Sequence, residues 1–252
     1  MSLQRRLFVE WLGTAFLLAT VVGSGIMAER LSGGNIAIAL LANAIATGAV
    51  LCALILTFAE TSGAHFNPAV TFAATLRREL SRKEALLYIS VQIIGAFCGV
   101  ATAHGMFGQS MFFGSQHMRT GPAQWWSEFI ATFGLLAAIL GCSRSRPNAV
   151  PFAVASYIVG AYWFTSSTSF ANPAVTLARA ATDTFSGIRP VDAPGFIVAQ
   201  LVGAAAATLS FGWLLKEQPA QTQSRYLRPL LFTSLPIEAL DESGKAKSEI
   251  GG

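Results

Sequence analysis

The chain has 252 residues, of which 53% are hydrophobic and only 12% charged, and its mean hydropathy is +0.52. A soluble domain carries about 25% charged residues. At half that level too little polar surface remains to cover a water-exposed fold of this size, so a membrane protein is implied. The net charge of +4 forms no continuous basic patch, which sets nucleic acid aside as a partner, and Cys52, Cys98 and Cys142 have neither pairing nor metal-ligand spacing and read as buried free thiols.

Arg5 and Arg6 precede an apolar run that reaches about Ala28, contains Glu10 and lacks a small-residue cleavage site, so a retained membrane helix is expected there, not a signal peptide. A spanning helix needs about 20 mostly apolar residues. Six stretches qualify: Leu7–Ala28, Ile36–Phe58, Glu84–Phe107, Ala123–Gly141, Val150–Thr168 and Pro194–Leu215. Two others, Asn67–Leu76 and Asn172–Ala181, are apolar but too short to cross. From Lys216 the chain turns polar and reads as a tail. With the N-terminus placed in the cytoplasm, thirteen of the 17 Lys and Arg residues fall on the cytoplasmic side and only Arg30, Arg119, Arg179 and Arg189 on the other. That bias puts both termini inside.

The two halves repeat. Glu10-Trp-Leu-Gly-Thr14 matches Glu128-Phe-Ile-Ala-Thr132, Asn67-Pro-Ala-Val-Thr71 matches Asn172-Pro-Ala-Val-Thr176, and Gln92-Ile-Ile-Gly-Ala96 matches Gln200-Leu-Val-Gly-Ala204, in the same order. Three spans per half is an odd number, so the second copy is inverted, an arrangement that places a central site near the midplane. Asn followed by Pro is a helix start, with Asn as N-cap and Pro in the first turn. Ten residues of helix extend about 15 Å, half the hydrocarbon core. Each short segment can therefore dip to the middle and return as a half-helix, its backbone buried in protein or lining a watery path. Two helix N-termini meeting there, each worth roughly +0.5 charge, disfavour cations and leave Asn67 and Asn172 to offer hydrogen bonds to a neutral solute.

This pattern, with Ser62-Gly-Ala-His-Phe-Asn-Pro-Ala69, closely resembles the aquaporin (major intrinsic protein) family over about residues 7–215. The resemblance implies an all-α membrane fold of six transmembrane helices and two re-entrant half-helices over residues 1–215, with inverted repeats at about 7–107 and 123–215 and a cytoplasmic tail at 216–252. It also implies a homotetramer in a lipid bilayer, the bacterial inner membrane, with one pore per subunit and passive conduction of small neutral solutes. Asn67, Pro68, Ala69, Asn172, Pro173 and Ala174 would form the pore midplane, and no catalytic group, metal or cofactor is expected. Glu10 and Glu128 match glutamates that hold the re-entrant loops, and His65 belongs to the same support.

Most family members carry Arg directly after the second Asn-Pro-Ala; this chain has Val175. Carrying the other filter positions over by offset gives Thr47, Gly160 and Ser169, a ring with neither an aromatic nor a cation, hence wide. Arg179 is expected at the outer interface, paired with Asp183 at i,i+4; the alternative is that it replaces the missing charge. The Val substitution resembles a bacterial subgroup associated with arsenic-resistance operons, which implies passage of arsenous acid and methylated arsenicals alongside glycerol and water. The runner-up is a general glycerol, urea and water facilitator. A secondary transporter would need ionisable coupling groups at the midplane, where these segments supply Asn and Pro.

Overall fold

The computed structural model describes residues 1–215; the tail from Lys216 lies outside the described residues. Eight α-helices account for most of the described chain: α1 (Leu3–Leu31), α2 (Ile36–Ser62), α3 (Pro68–Leu76), α4 (Arg82–Phe107), α5 (Pro122–Ser145), α6 (Val150–Phe164), α7 (Pro173–Arg179) and α8 (Ala193–Leu214). α1, α2, α4, α5 and α8 are each long and apolar enough to cross a membrane. α6 has 15 residues, preceded by a 3-10 turn at Pro147–Ala149, so it alone extends only about 22 Å. The sequence suggested helix to Thr168. Instead it stops at Phe164, because the Ser/Thr-rich segment after it turns inward with positive φ at Thr168, Ser169 and Ala171.

The short segments are half-helices as expected: α3 has nine residues and α7 seven. Their packing follows the repeat. α1 packs on α2 and α4, and its counterpart α5 packs on α6 and α8. α3 packs against α4 and crosses to α8, while α7 packs against α8 and crosses to α4. Each half thus contributes a half-helix to the other, and the pair α3 and α7 meet between them.

Close helix approach depends on glycine at two matched places. A Cβ on Gly95 would strike the backbone of Trp11, and one on Gly203 would overlap the Phe129 carbonyl and the Phe133 N–H. Lipid tails are as apolar as leucine, so membrane helices gain contact by bringing backbones together at small residues. The outward surface is correspondingly apolar, with Phe16, Leu41, Ile45, Leu87, Ile94 and Val202 exposed. The polar groups are inside: Glu10, Thr14, Gln92, Glu128, Thr132 and Gln200 are fully buried. Cys52, Cys98 and Cys142 are free, but half-buried where full burial was expected.

Gly95→Leu should prevent α1 and α4 from closing and leave little monodisperse protein after detergent extraction. Gly105→Leu, on the same helix where an added Cβ meets only open space, should extract normally, as size-exclusion chromatography of the two will show.

Candidate functional site

Two loops, residues 63–67 and 168–172, enter the helix bundle from opposite sequence halves and deliver Asn67 and Asn172 to the same point. Neither loop follows an ordinary backbone path. Ala64 and Phe66 have φ of 48° and 47°, and the matched residues Ser169 and Ala171 have 51° and 47°. The left-handed region costs a non-glycine residue about 1–2 kcal/mol, so these four residues and Thr168, at 61°, require partners that hold them there.

Those partners are the matched glutamates. Oε1 of Glu10 accepts the His65 N–H at 3.0 Å and the Ser62 hydroxyl at 2.6 Å, and Oε2 accepts the Phe66 N–H at 2.7 Å. Glu128 does the same for the second loop, accepting the Phe170 N–H at 2.8 Å, the Ala171 N–H at 2.9 Å and the Ser167 hydroxyl. The amide nitrogen of Gln92 donates to Glu10 at 2.8 Å and to the Thr71 hydroxyl at 3.0 Å; that of Gln200 donates to Glu128 at 2.6 Å and to Thr176 at 2.8 Å. Buried carboxyl groups in a membrane protein are costly unless satisfied, and here every contact to them is a donor. Ser62, Gln92 and Thr71, with Ser167, Gln200 and Thr176, are functional residues that motif reading missed. The signal was present, since the Gln and Thr pairs belong to the matched repeat segments.

Both expected N-caps form. The Asn67 carbonyl oxygen accepts the Ala69 N–H at 2.8 Å, and that of Asn172 accepts the N–H groups of Ala174 at 3.0 Å and Val175 at 3.3 Å, with Pro68 and Pro173 in the first turns. The two amide nitrogens cross over: Asn67 donates to the Ala171 carbonyl at 2.8 Å, and Asn172 to the Phe66 carbonyl at 2.9 Å. Each amide nitrogen has two N–H groups, so the crossing bond uses one and leaves the second for a solute. Both asparagines line a cavity of about 250 Å³ whose other walls are mainly aliphatic, including Leu51, Ile55, Leu136 and Val154. His65 also borders it, its ring placed by Thr71 at 3.1 Å and by Tyr88 at 5.5 Å between centroids, so it combines loop support with a place on the wall.

The four filter positions taken from sequence offsets are not all alike. Thr47, Ser169 and Val175 are buried, and the Ser169 hydroxyl has no protein partner. Gly160 is exposed, in file with the exposed Phe152, Ser156 and Trp163, and open space lies where its side chain would be. The α6 side chain that reaches Thr47 is Tyr162, buried, with its hydroxyl 3.3 Å from that of Thr47. Two residues on a helix are about 200° of rotation, so the offset selects the wrong face of α6.

Arg179 also differs from expectation. α7 ends at Arg179, so no helical i,i+4 relation to Asp183 exists. Arg179 is 2% exposed, its Nε donates to the Ser186 carbonyl, and its guanidinium lies over the Phe170 ring. Asp183 instead accepts the Gln116 N–H at 2.8 Å. Nearby, Asp192 accepts the Arg119 N–H at 2.9 Å and is paired with Arg189. Burial alone would push the Asp192 carboxyl up; Arg189 and the Arg119 N–H outweigh it and hold the group below its ordinary value.

Glu128→Gln replaces an acceptor oxygen by an NH₂ group facing an N–H donor. It should lower stability by about 1–3 kcal/mol, the usual cost of one unsatisfied buried group, read as a lower thermal midpoint in detergent. Glu10→Gln should do the same, because the two sites are built alike.

A family model described as Major intrinsic protein matches residues 1–166. The chain is 52% identical over 228 residues to aquaglyceroporin AqpS of Rhizobium meliloti (strain 1021), covering 90% of this chain and 97% of that one. It is 33% identical over 164 residues to aquaporin PIP2-5 of Oryza sativa subsp. japonica, covering 59% and 57%. Among solved structures, the aquaglyceroporin from Plasmodium falciparum superposes with a TM-score of 0.59 over 84% of this chain and 95% of that one, at 23% identity, a likeness of fold.

Proposed function

The chain belongs to the major intrinsic protein family, and we propose that it is a passive, bidirectional channel for small neutral solutes whose filter, lacking the usual arginine, admits molecules larger than water. Aquaglyceroporin-type channel activity is the coarse reading. The finer one adds neutral trivalent arsenicals, arsenous acid above all, to glycerol and water. The observation that carries it is Val175, a small apolar side chain directly after the second Asn-Pro-Ala. Arsenous acid is uncharged near neutral pH and presents hydroxyl groups much as a small polyol does.

We assign the filter to Thr47, Tyr162, Ser169 and Val175. Tyr162 brings an aromatic into a ring that the sequence suggested had none, so the opening is narrower than first expected, yet it still lacks a side chain of arginine's size at position 175. The unpartnered Ser169 hydroxyl is a group that a passing hydroxyl can satisfy. Further in, the second N–H groups of Asn67 and Asn172 face a mostly aliphatic cavity, a surface that binds weakly enough to release its solute. Glu10 and Glu128 are fully engaged by the loops they hold, which disfavours ion-coupled transport through them. The positive-inside count supports a multi-pass protein of the bacterial inner membrane with both termini cytoplasmic, and the family resemblance supports a homotetramer.

A general glycerol, urea and water facilitator is the second reading, favoured by the aquaglyceroporin name of the 52% identical relative. Swelling of proteoliposomes in a solute series separates the two. Wild type should pass glycerol and arsenous acid, and Val175→Arg should slow these larger solutes relative to water by about tenfold, a usual discrimination for one misfitting group. Arsenous acid flux no faster than in empty liposomes would reject the arsenical reading and leave the facilitator. Equal passage of large solutes in Val175→Arg would show that position 175 is not in the filter.

A further inference from the structure

Two arginines that neither the Asn pair nor the Val175 position explains converge on one aromatic ring. Phe170 lies two residues before Asn172, its N–H held by Glu128 and its ring edge-on to Phe196 at 5.2 Å. The Arg179 guanidinium carbon is 3.4 Å from the ring centroid and that of Arg119 is 5.3 Å from it. Arg119 comes from the segment between α4 and α5. Its Nε donates to the Gly187 carbonyl at 2.8 Å, Nη1 to the Ser167 carbonyl and the Thr168 hydroxyl, both at 3.4 Å, and Nη2 to the Phe185 carbonyl at 3.5 Å. Its backbone is pinned by Asp192. The guanidinium is thereby fixed against residues 167 and 168, immediately before Ser169.

The chemistry of these contacts is the telling point. All the acceptors are neutral carbonyl or hydroxyl oxygens, and among the described residues neither Arg119 nor Arg179 takes part in an ion pair. Asp192 and Asp183 are engaged by Arg189 and by the segment at residues 115–117, and Glu128, the buried carboxyl that attracts both guanidiniums through space, forms an ion pair with neither. A guanidinium held by neutral groups is positioned without having its charge cancelled. The site therefore presents two positive charges that no ion pair neutralises, beside the outer approach to the Asn pair. Arg179 is buried beneath, with Nη1 unpartnered, whereas Arg119 is only half-buried and so is the one that meets an entering solute.

We infer that Arg119, carried on Phe170 and backed by Arg179, is the cation-excluding group of this channel and supplies from an outer loop the charge that position 175 lacks. This rests on the channel reading above and deepens it. A family filter that uses one arginine for both width and charge couples the two properties. Here they are separated: Val175 leaves the ring open while Arg119 keeps the entrance positive. A proton or potassium ion meets the field of an unpaired guanidinium, and an uncharged hydroxylated solute does not.

The test uses full-length protein in proteoliposomes, with glycerol flux from light scattering, proton leak from an internal pH dye and potassium leak from an internal potassium-sensitive dye, measured on the same vesicle preparation. The ratio of cation leak to glycerol flux should rise about tenfold or more in Arg119→Gln, the change expected when a unit charge within about 12 Å of the path is removed at an effective dielectric near about 20. Arg119→Lys should keep the wild-type ratio, as should Arg30→Gln, another outer arginine, which binds the Phe107 carbonyl instead. Adding Val175→Arg to Arg119→Gln should return the cation leak itself to the wild-type level, read apart from the glycerol flux that Val175→Arg slows, a rescue that a merely loosened loop would not show. Arg119→Met, which keeps an unbranched stem over Phe170, gives the same reading if the Gln variant does not fold. An unchanged ratio in the neutral variants, or no rescue by Val175→Arg, overturns the assignment. Absence of glycerol flux in wild type would instead overturn the channel reading, and the two failures are distinct because the glycerol signal is recorded independently.

Discussion

Two buried carboxyl groups hold this structure's purpose in place. Glu10 and Glu128 each take two consecutive backbone N–H groups, a serine hydroxyl and a glutamine amide, and those bonds keep an irregular loop deep inside an apolar bundle. Without them the N–H groups of His65, Phe66, Phe170 and Ala171 would lack acceptors where water is scarce, at a cost of several kcal/mol each. With them, five non-glycine residues stay in the left-handed region, and the alternation of backbone direction turns the Phe66 and Ala171 carbonyls toward the opposite asparagine. The solute path depends on this arrangement, because the Asn groups are positioned only as well as the loops that carry them.

The crossing bonds between Asn67 and Ala171 and between Asn172 and Phe66 also explain why one half of the repeat needs the other. Each half-helix packs against spanning helices of both repeats, and each asparagine finds one acceptor in the other loop. The filter proposed above places selection by size and selection by charge on different parts of the chain. Val175 and Tyr162 belong to the proposed opening, whereas Arg119 belongs to a connecting segment whose position is fixed by Asp192, Gly187 and Ser167.

Much of the fold could be read from the residue pattern. Apolar length gave five of the six expected spans, Asn-Pro gave the half-helix starts, and the matched Glu, Asn and Gln segments gave the matched packing of the two halves. The end of α6 was not legible, because residues 165–169, all Ser or Thr, contain no proline, glycine or charge to mark a stop, and only the capture of the following N–H groups by Glu128 explains the break. Gly160, reached by counting back from Asn172 across an irregular loop, lies on the exposed face of α6, while Tyr162, about 200° round the helix, is the side chain that meets Thr47. Arg179 failed because an i,i+4 pairing assumes a helix that has already ended.

The sequence by itself determined what is local and periodic: the five segments that form long apolar helices, where two short helices start, and that Val175 directly follows the second Asn-Pro-Ala. Tertiary structure decided what depends on distant segments meeting. It set which α6 side chain meets Thr47, which groups satisfy the buried carboxyls, and that Arg119 and Arg179 share the face of Phe170 from positions 60 residues apart in the chain. Helical spacing is encoded in neighbouring residues, so it survives reading one residue at a time. The environment of a buried charge is set by groups far away in sequence, and only the folded chain brings them within bonding distance.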